Sequence, residues 1–263
     1  MAIRQRRSST LKVYGRSQVC SDHLTGVHLA RARCSSNETA RCVDFMEDSI
    51  SMAARVGNYM SKAPGVFCLE GDWELSMESR ISVEPALRLL EAQDSIRLVH
   101  RDVATLAELK YYLARWLGAQ MRGYTFGYFG FHGSAETLYI GDDELALSEL
   151  EEMLAGRCEG RVIYFGSCSV LKAEGEVLQR FCRTTSARAV VGFTRDVDWV
   201  EAAAFEILLV QKLAWAKNMK PAYDWLTREY PDLTNKLGFR MAHSRWSSDR
   251  TIAVQAANDA HKG

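Results

Sequence analysis

The chain has 263 residues, 47% of them hydrophobic and 25% charged, with 33 basic side chains offset by 33 acidic ones. That is the profile of an ordinary globular protein with a sizeable core, and a formal net charge of zero supplies no overall field for nucleic acid or acidic substrates. No apolar run is long enough to cross a bilayer; the most apolar stretch, 199–216, is interrupted by Glu201, Glu206, Gln211 and Lys212 and reads as a buried helix.

In chain order, the first 41 residues carry eight Lys or Arg against Asp22 and Glu38, with six serines and no apolar periodicity. Such a segment reads as disordered. Its composition also suits a transit peptide or a basic arm touching nucleic acid, the one place where nucleic acid enters. A start at Met46, Met52 or Met60 is the favoured reading, because Met60-Ser-Lys-Ala-Pro-Gly leads directly into a strand. The expected organisation is a leader over 1–60, an α/β domain over 61–245 and a tail over 246–263.

A strand over 66–70 is closed by Gly71. Ser82 and Pro85 open a helix with Ala86, Leu89 and Leu90 on its buried face, and a strand over 96–100 follows. Thr105 and Glu108 form a capping box before Leu109, Leu113 and Trp116. A third strand spans 124–131. Segments 137–140 and 144–147 flank Gly141-Asp142-Asp143 as a hairpin, in which the two acids are turn formers rather than metal ligands. Ser148 and Glu151 read as a second capping box. Strands over 161–167 and 187–194 alternate with helices over 173–184, from 198, and over 221–230, before a last strand at 237–242. Strands alternating with amphipathic helices imply right-handed crossovers and a mostly parallel sheet covered on both faces.

Two strand ends carry chemistry. Tyr-Phe-Gly-Phe-His-Gly (128–133) delivers His132, and Arg-Val-Ile-Tyr-Phe-Gly-Ser-Cys-Ser (161–169) delivers Cys168. In open α/β sheets ligands bind beyond the carboxyl ends of the strands. An imidazole and a thiol brought to that edge form a base and a nucleophile, which points to acyl transfer and most simply to proteolysis. Taken singly, the cysteine could be a small core hydrophobe and the histidine a plain strand end. The separation, 168 − 132 = 36 residues, suits a hairpin plus a crossover helix.

Other signals are declined. The seven cysteines (20, 34, 42, 68, 158, 168, 182) are odd in number and lack CxxC spacing, so neither a disulfide framework nor a zinc site has support. With no apolar secretory core near the start, reduced thiols in a cytoplasm fit best. His100-Arg101-Asp102 lacks the other kinase motifs, and no phosphate-cradling glycine loop occurs. No metal or cofactor is called for.

Phe131-His132-Gly133-Ser134, the hairpin over 138–147 and Val162-Ile163-Tyr164-Phe165-Gly166-Ser167-Cys168 together resemble the caspase-like cysteine peptidases, above all bacterial members with a compact CHAT-type core. The similar stretch is 65–216. The chain is also similar to a group of short stand-alone bacterial proteins of unassigned function, through Gly65 to Trp73, His100 to Thr105, and Val197-Asp198-Trp199. The resemblance implies a caspase–haemoglobinase three-layer fold, Cys168 as nucleophile and His132 as general base. It implies an oxyanion hole from the backbone N–H groups of Cys168 and Gly133, and cleavage of a protein or peptide substrate after activation by a partner or signal, in bacterial stress, cell-death or antiphage pathways. Many relatives carry an acid two residues before the nucleophile, for a basic P1 side chain; here Gly166 stands there. Replacement acids are then Glu70 and Asp72 after the first strand, and Asp196 and Asp198 after the fifth, each also readable as a solvated loop acid or a helix cap, Asp198 above all. A P1 aspartate would instead call for Arg101 or Arg195. Two other readings are a caspase fold that has lost turnover, kept as a scaffold, and a flavodoxin-like or TIR-like signalling domain.

Overall fold

A computed structural model describes residues 63–74 and 76–249. The expected leader over 1–60 and the chain beyond residue 249 lie outside the described residues. Among the described residues no helix is long and apolar enough to cross a membrane.

Among the described residues, ten strands and seven α-helices follow the alternation expected. The main sheet comprises β1 (Gly65–Glu70), β2 (Arg97–Asp102), β3 (Phe126–Gly130), β7 (Val162–Phe165), β8 (Ala189–Phe193), β9 (Phe239–His243) and β10 (Trp246–Ser247), in the order β10-β9-β8-β7-β3-β1-β2. Pairings from β2 across to β8 are parallel, and only β9 and β10 run antiparallel to their neighbours. The helices are α1 (Glu84–Ala92), α2 (Leu106–Trp116), α3 (Leu147–Leu154), α4 (Gly175–Thr185), α5 (Trp199–Trp215), α6 (Met219–Glu229) and α7 (Pro231–Leu237).

The two-residue period of the strands divides the core. Val66, Cys68, Tyr128 and Tyr164 point to the face covered by α1, α5, α6 and α7, while Phe67, Leu69, Phe129 and Phe165 point to the face covered by α2, α3 and α4. The result is a sheet buried on both sides. The close approach of α2 needs Gly127, where an added Cβ would sit 2.5 Å from the Trp116 ring.

Several expected details shift. Helix α1 buries Leu87 and Leu90, with its N-cap Val83 buried beside them, while Ala86 is half-buried and Leu89 faces solvent, so the buried stripe is not the expected Ala86-Leu89-Leu90 set. The second capping box is out of frame: β6 (Asp143–Ala146) ends directly in α3, so Glu149 accepts from the Ala146 N–H at 2.9 Å. Glu151 is buried and pairs with Arg180 at 3.5 Å. The third strand stops at Gly130, and His132 begins the short β4 (His132–Ser134), which joins β5 (Thr137–Ile140) and β6 in a small antiparallel sheet. Beyond 245, where a tail was expected to begin, Trp246–Ser247 is β10 and pairs with β9.

Candidate active site

The sheet register places the two reactive side chains. Phe129 of β3 lies opposite Phe165 of β7, and His132 and Cys168 each stand three residues beyond that pair. Past β7 the ladder continues for one bond, Gly166 N–H to Phe129 O at 2.9 Å. The buried Ser167 Oγ then donates to Phe129 O and accepts from Phe131 N–H, both at 3.4 Å. At Ser169 the backbone turns into the left-handed region, φ 54°, which a residue with a Cβ seldom adopts. The turn is held because Ser169 N–H donates to Arg195 O at 3.0 Å and its Oγ to Asp196 Oδ1 at 2.8 Å. Cys168 is left half-buried at its crest.

His132 is exposed, and its Nε2 lies 3.0 Å from the backbone oxygen of Trp73, whose indole meets the imidazole edge-on at 5.5 Å. A carbonyl oxygen only accepts, so Nε2 carries a proton, and Nδ1 is the ring nitrogen left to act as an acceptor. Gly133 brings this strand against the Cys168 turn. An added Cβ there would lie 3.0 Å from Cys168 O and 2.5 Å from Val170 Cγ2, so any side chain would push the two segments apart. His132 and Cys168 line one cleft of about 240 Å³ with Trp73, Ile81, Val83, Tyr128, Gly166, Val197, Trp199 and Glu206.

The four acids proposed from sequence take other places, and none of them lines that cleft. Glu70 is 2% exposed and spent on packing. It accepts from Trp73 Nε1 at 2.5 Å, Ser82 Oγ at 2.7 Å, Val83 N–H at 2.7 Å and His100 Nε2 at 2.6 Å. Burial opposes its charge, but the bonds from His100, Trp73, Val83 and Ser82 outweigh it and hold the carboxyl below its ordinary range. His100 is buried too, yet the Glu70 carboxylate raises its pKa. Glu70, His100 and Asp102 offer ligand atoms within 4.8 Å of one another, but four donors already occupy both Glu70 oxygens, a poor start for a metal site. Asp72 is exposed in a neighbouring recess that also touches His132. Asp196 is exposed and holds the Ser169 turn.

Asp198 is a helix cap: its Oδ1 accepts from Glu201 N–H at 3.0 Å at the start of α5. Asp198→Ala should therefore lower stability by about 1 kcal/mol, read from urea unfolding. A change in substrate preference with unaltered stability would return Asp198 to the pocket. Of the two arginines, Arg101 donates to His100 O, and Arg195 lines a separate recess with Lys220 and Arg240.

Sequence reasoning missed two contributors, Trp73 and Glu206. The carboxylate of Glu206 is buried and accepts from Tyr128 Oη and Tyr164 Oη, each at 2.7 Å. Burial pushes its pKa up, against the two phenol hydrogen bonds. In the sequence it is one charge inside an apolar helix, with nothing to say which way it faces.

The family described as "Family of unknown function (DUF6642)" matches residues 64–243. No curated protein matches the chain. Among solved structures, one described as pro-sf-caspase-1 is similar, with a TM-score of 0.45 and 9% identity, over 68% of this chain and 85% of that one.

Proposed function

The chain belongs to the DUF6642 family of unknown function, and we propose that it is a caspase-like cysteine endopeptidase cutting a partner protein by a Cys168–His132 dyad. One observation carries the reading: thiol and imidazole stand beyond paired strands in one cleft, and the Trp73 carbonyl leaves Nδ1 as the imidazole's acceptor.

The steps follow. His132 takes the thiol proton, and the sulfur attacks the scissile carbonyl carbon. The oxygen's new charge is met by the backbone N–H groups of Cys168 and Gly133. Collapse breaks the C–N bond, and the imidazolium gives its proton to the leaving amine. Water, deprotonated by His132, then hydrolyses the thioester, releasing the acid and restoring the thiol. The cysteine usage suits a cytoplasm, and the resemblance carries a role in bacterial defence or cell-death signalling with an activating partner or signal.

The test is covalent labelling. Peptidyl acyloxymethyl ketones with varied P1 residues, applied to the full chain with and without lysate from stressed cells, are expected to modify Cys168 and no other cysteine on peptide mapping. Alkylation of Cys168 by iodoacetamide alone, with no peptidyl probe reacting under either condition, would leave a binding module that keeps the fold without turnover.

A further inference from the structure

We propose that Glu206 is the acid that receives the substrate's P1 side chain, and that this side chain is cationic, arginine or lysine. The assignment rests on the peptidase reading for its P1 role, and on the cleft itself for its charge.

Gly166 stands two residues before Cys168, just past the end of β7. An added Cβ there would lie 2.6 Å from the Tyr128 hydroxyl and 2.8 Å from its Cζ, so the strand can carry no acid two residues before Cys168. The space is taken by a phenol that donates to Glu206 Oε2, while Tyr164 donates to Oε1. Glu206 of α5 thus brings a carboxylate to the cleft that holds Cys168 and His132.

Two further observations separate Glu206 from an ordinary buried acid. A carboxylate has about four acceptor positions, and the two phenols use one on each oxygen, so lone pairs remain for further donors. Among the described residues no Lys, Arg or His forms an ion pair with it. A buried carboxylate without a counter-ion is costly, and a cation entering the cleft would supply one. The walls suit such a guest: Trp73, Ile81, Val197 and Trp199 are apolar and aromatic, able to cover an aliphatic stem and face a guanidinium. A volume of about 240 Å³ holds one side chain and not a larger ligand. The other acid lining the cleft, Glu74, is exposed and so stands in solvent.

Two measurements test this on the full chain. First, benzamidine should slow iodoacetamide alkylation of Cys168 in the wild type and have little effect in Glu206→Gln, each compared with its own rate without benzamidine. Second, with fluorogenic peptides differing only at P1, the wild type should favour Arg and Lys. In Glu206→Gln the ratio of kcat/KM for P1 Arg to that for P1 Gln should fall by about 30-fold or more. Equal benzamidine protection in both proteins, a wild-type preference for P1 Asp or an apolar residue, or an equal fall for every P1 together with a lower Tm would each overturn the assignment, the last by making Glu206 structural. Protection that depends on Glu206 without cleavage or peptidyl-probe labelling would instead retire the peptidase reading and keep the cation pocket.

Discussion

Glu70→Ala is expected to destabilise the protein by about 3–5 kcal/mol, because it removes one partner of a buried ion pair and leaves the other unmatched. The side chains of Glu70 and His100 are 3% and 6% exposed. The substitution would also strand the Val83 N–H and the Trp73 indole N–H, each a buried or half-buried donor with its acceptor gone. The pH dependence has a definite sign. Glu70's depressed pKa makes its contribution present above the ordinary carboxylate range, and it is lost as pH falls through the folded value. His100's raised pKa makes its contribution full below about 6.5, and it is lost as pH rises through the folded value. The Tm gap between wild type and Glu70→Ala should therefore be widest under mildly acidic conditions and narrow on both sides. A gap that stays constant from about pH 5 to about pH 9 would show that the pair is not ionised as described. Glu70→Gln separates charge from shape, since the amide can still accept from Trp73 and Val83 and should recover part of the loss.

Parts of the candidate site were legible in the sequence and parts were not. His132 and Cys168 could be read because a glycine-bounded apolar strand fixes where it ends, and both reactive groups follow such ends on neighbouring strands. The sheet could be read because buried parallel strands are continuous apolar runs. Glu70 misled for a tertiary reason: an acid at a strand end normally meets solvent, and nothing local reveals that Ser82 and Val83 fold back over it. Glu206 was hidden because helix α5 is apolar nearly all round, so periodicity gave no orientation for its few charges. The Ser148–Glu151 box failed on competition, since a hairpin strand ending at Ala146 let the helix begin before that serine could cap it. In each failure the deciding neighbour is distant in sequence, or belongs to a different element.

On the proposed peptidase reading, the largest functional effect should come from Cys168 and His132. His132→Ala should slow cleavage by about 10²–10⁴-fold, the usual share of a general base, and Cys168→Ala should abolish it. Both folds should survive: Cys168 is half-buried at the crest of a turn, and His132 is exposed, so neither change opens a core cavity and each should stay within about 1 kcal/mol of wild type. Thiol chemistry reads the same pair without a natural substrate. The attacking species in alkylation is the thiolate, so a base that accepts the Cys168 proton should speed its reaction with iodoacetamide, and His132→Ala should slow it near neutral pH. The other described cysteines provide the contrast. Burial raises Cys68, and it pushes Cys158 to about 11 and Cys182 to about 12, so all three should react slowly in the folded protein. Peptide mapping reads Cys168 separately from Cys20, Cys34 and Cys42, which lie outside the described residues. Equal alkylation of Cys168 in wild type and His132→Ala, with cleavage unchanged in both variants, would end the peptidase reading and leave the two strand ends as structure alone.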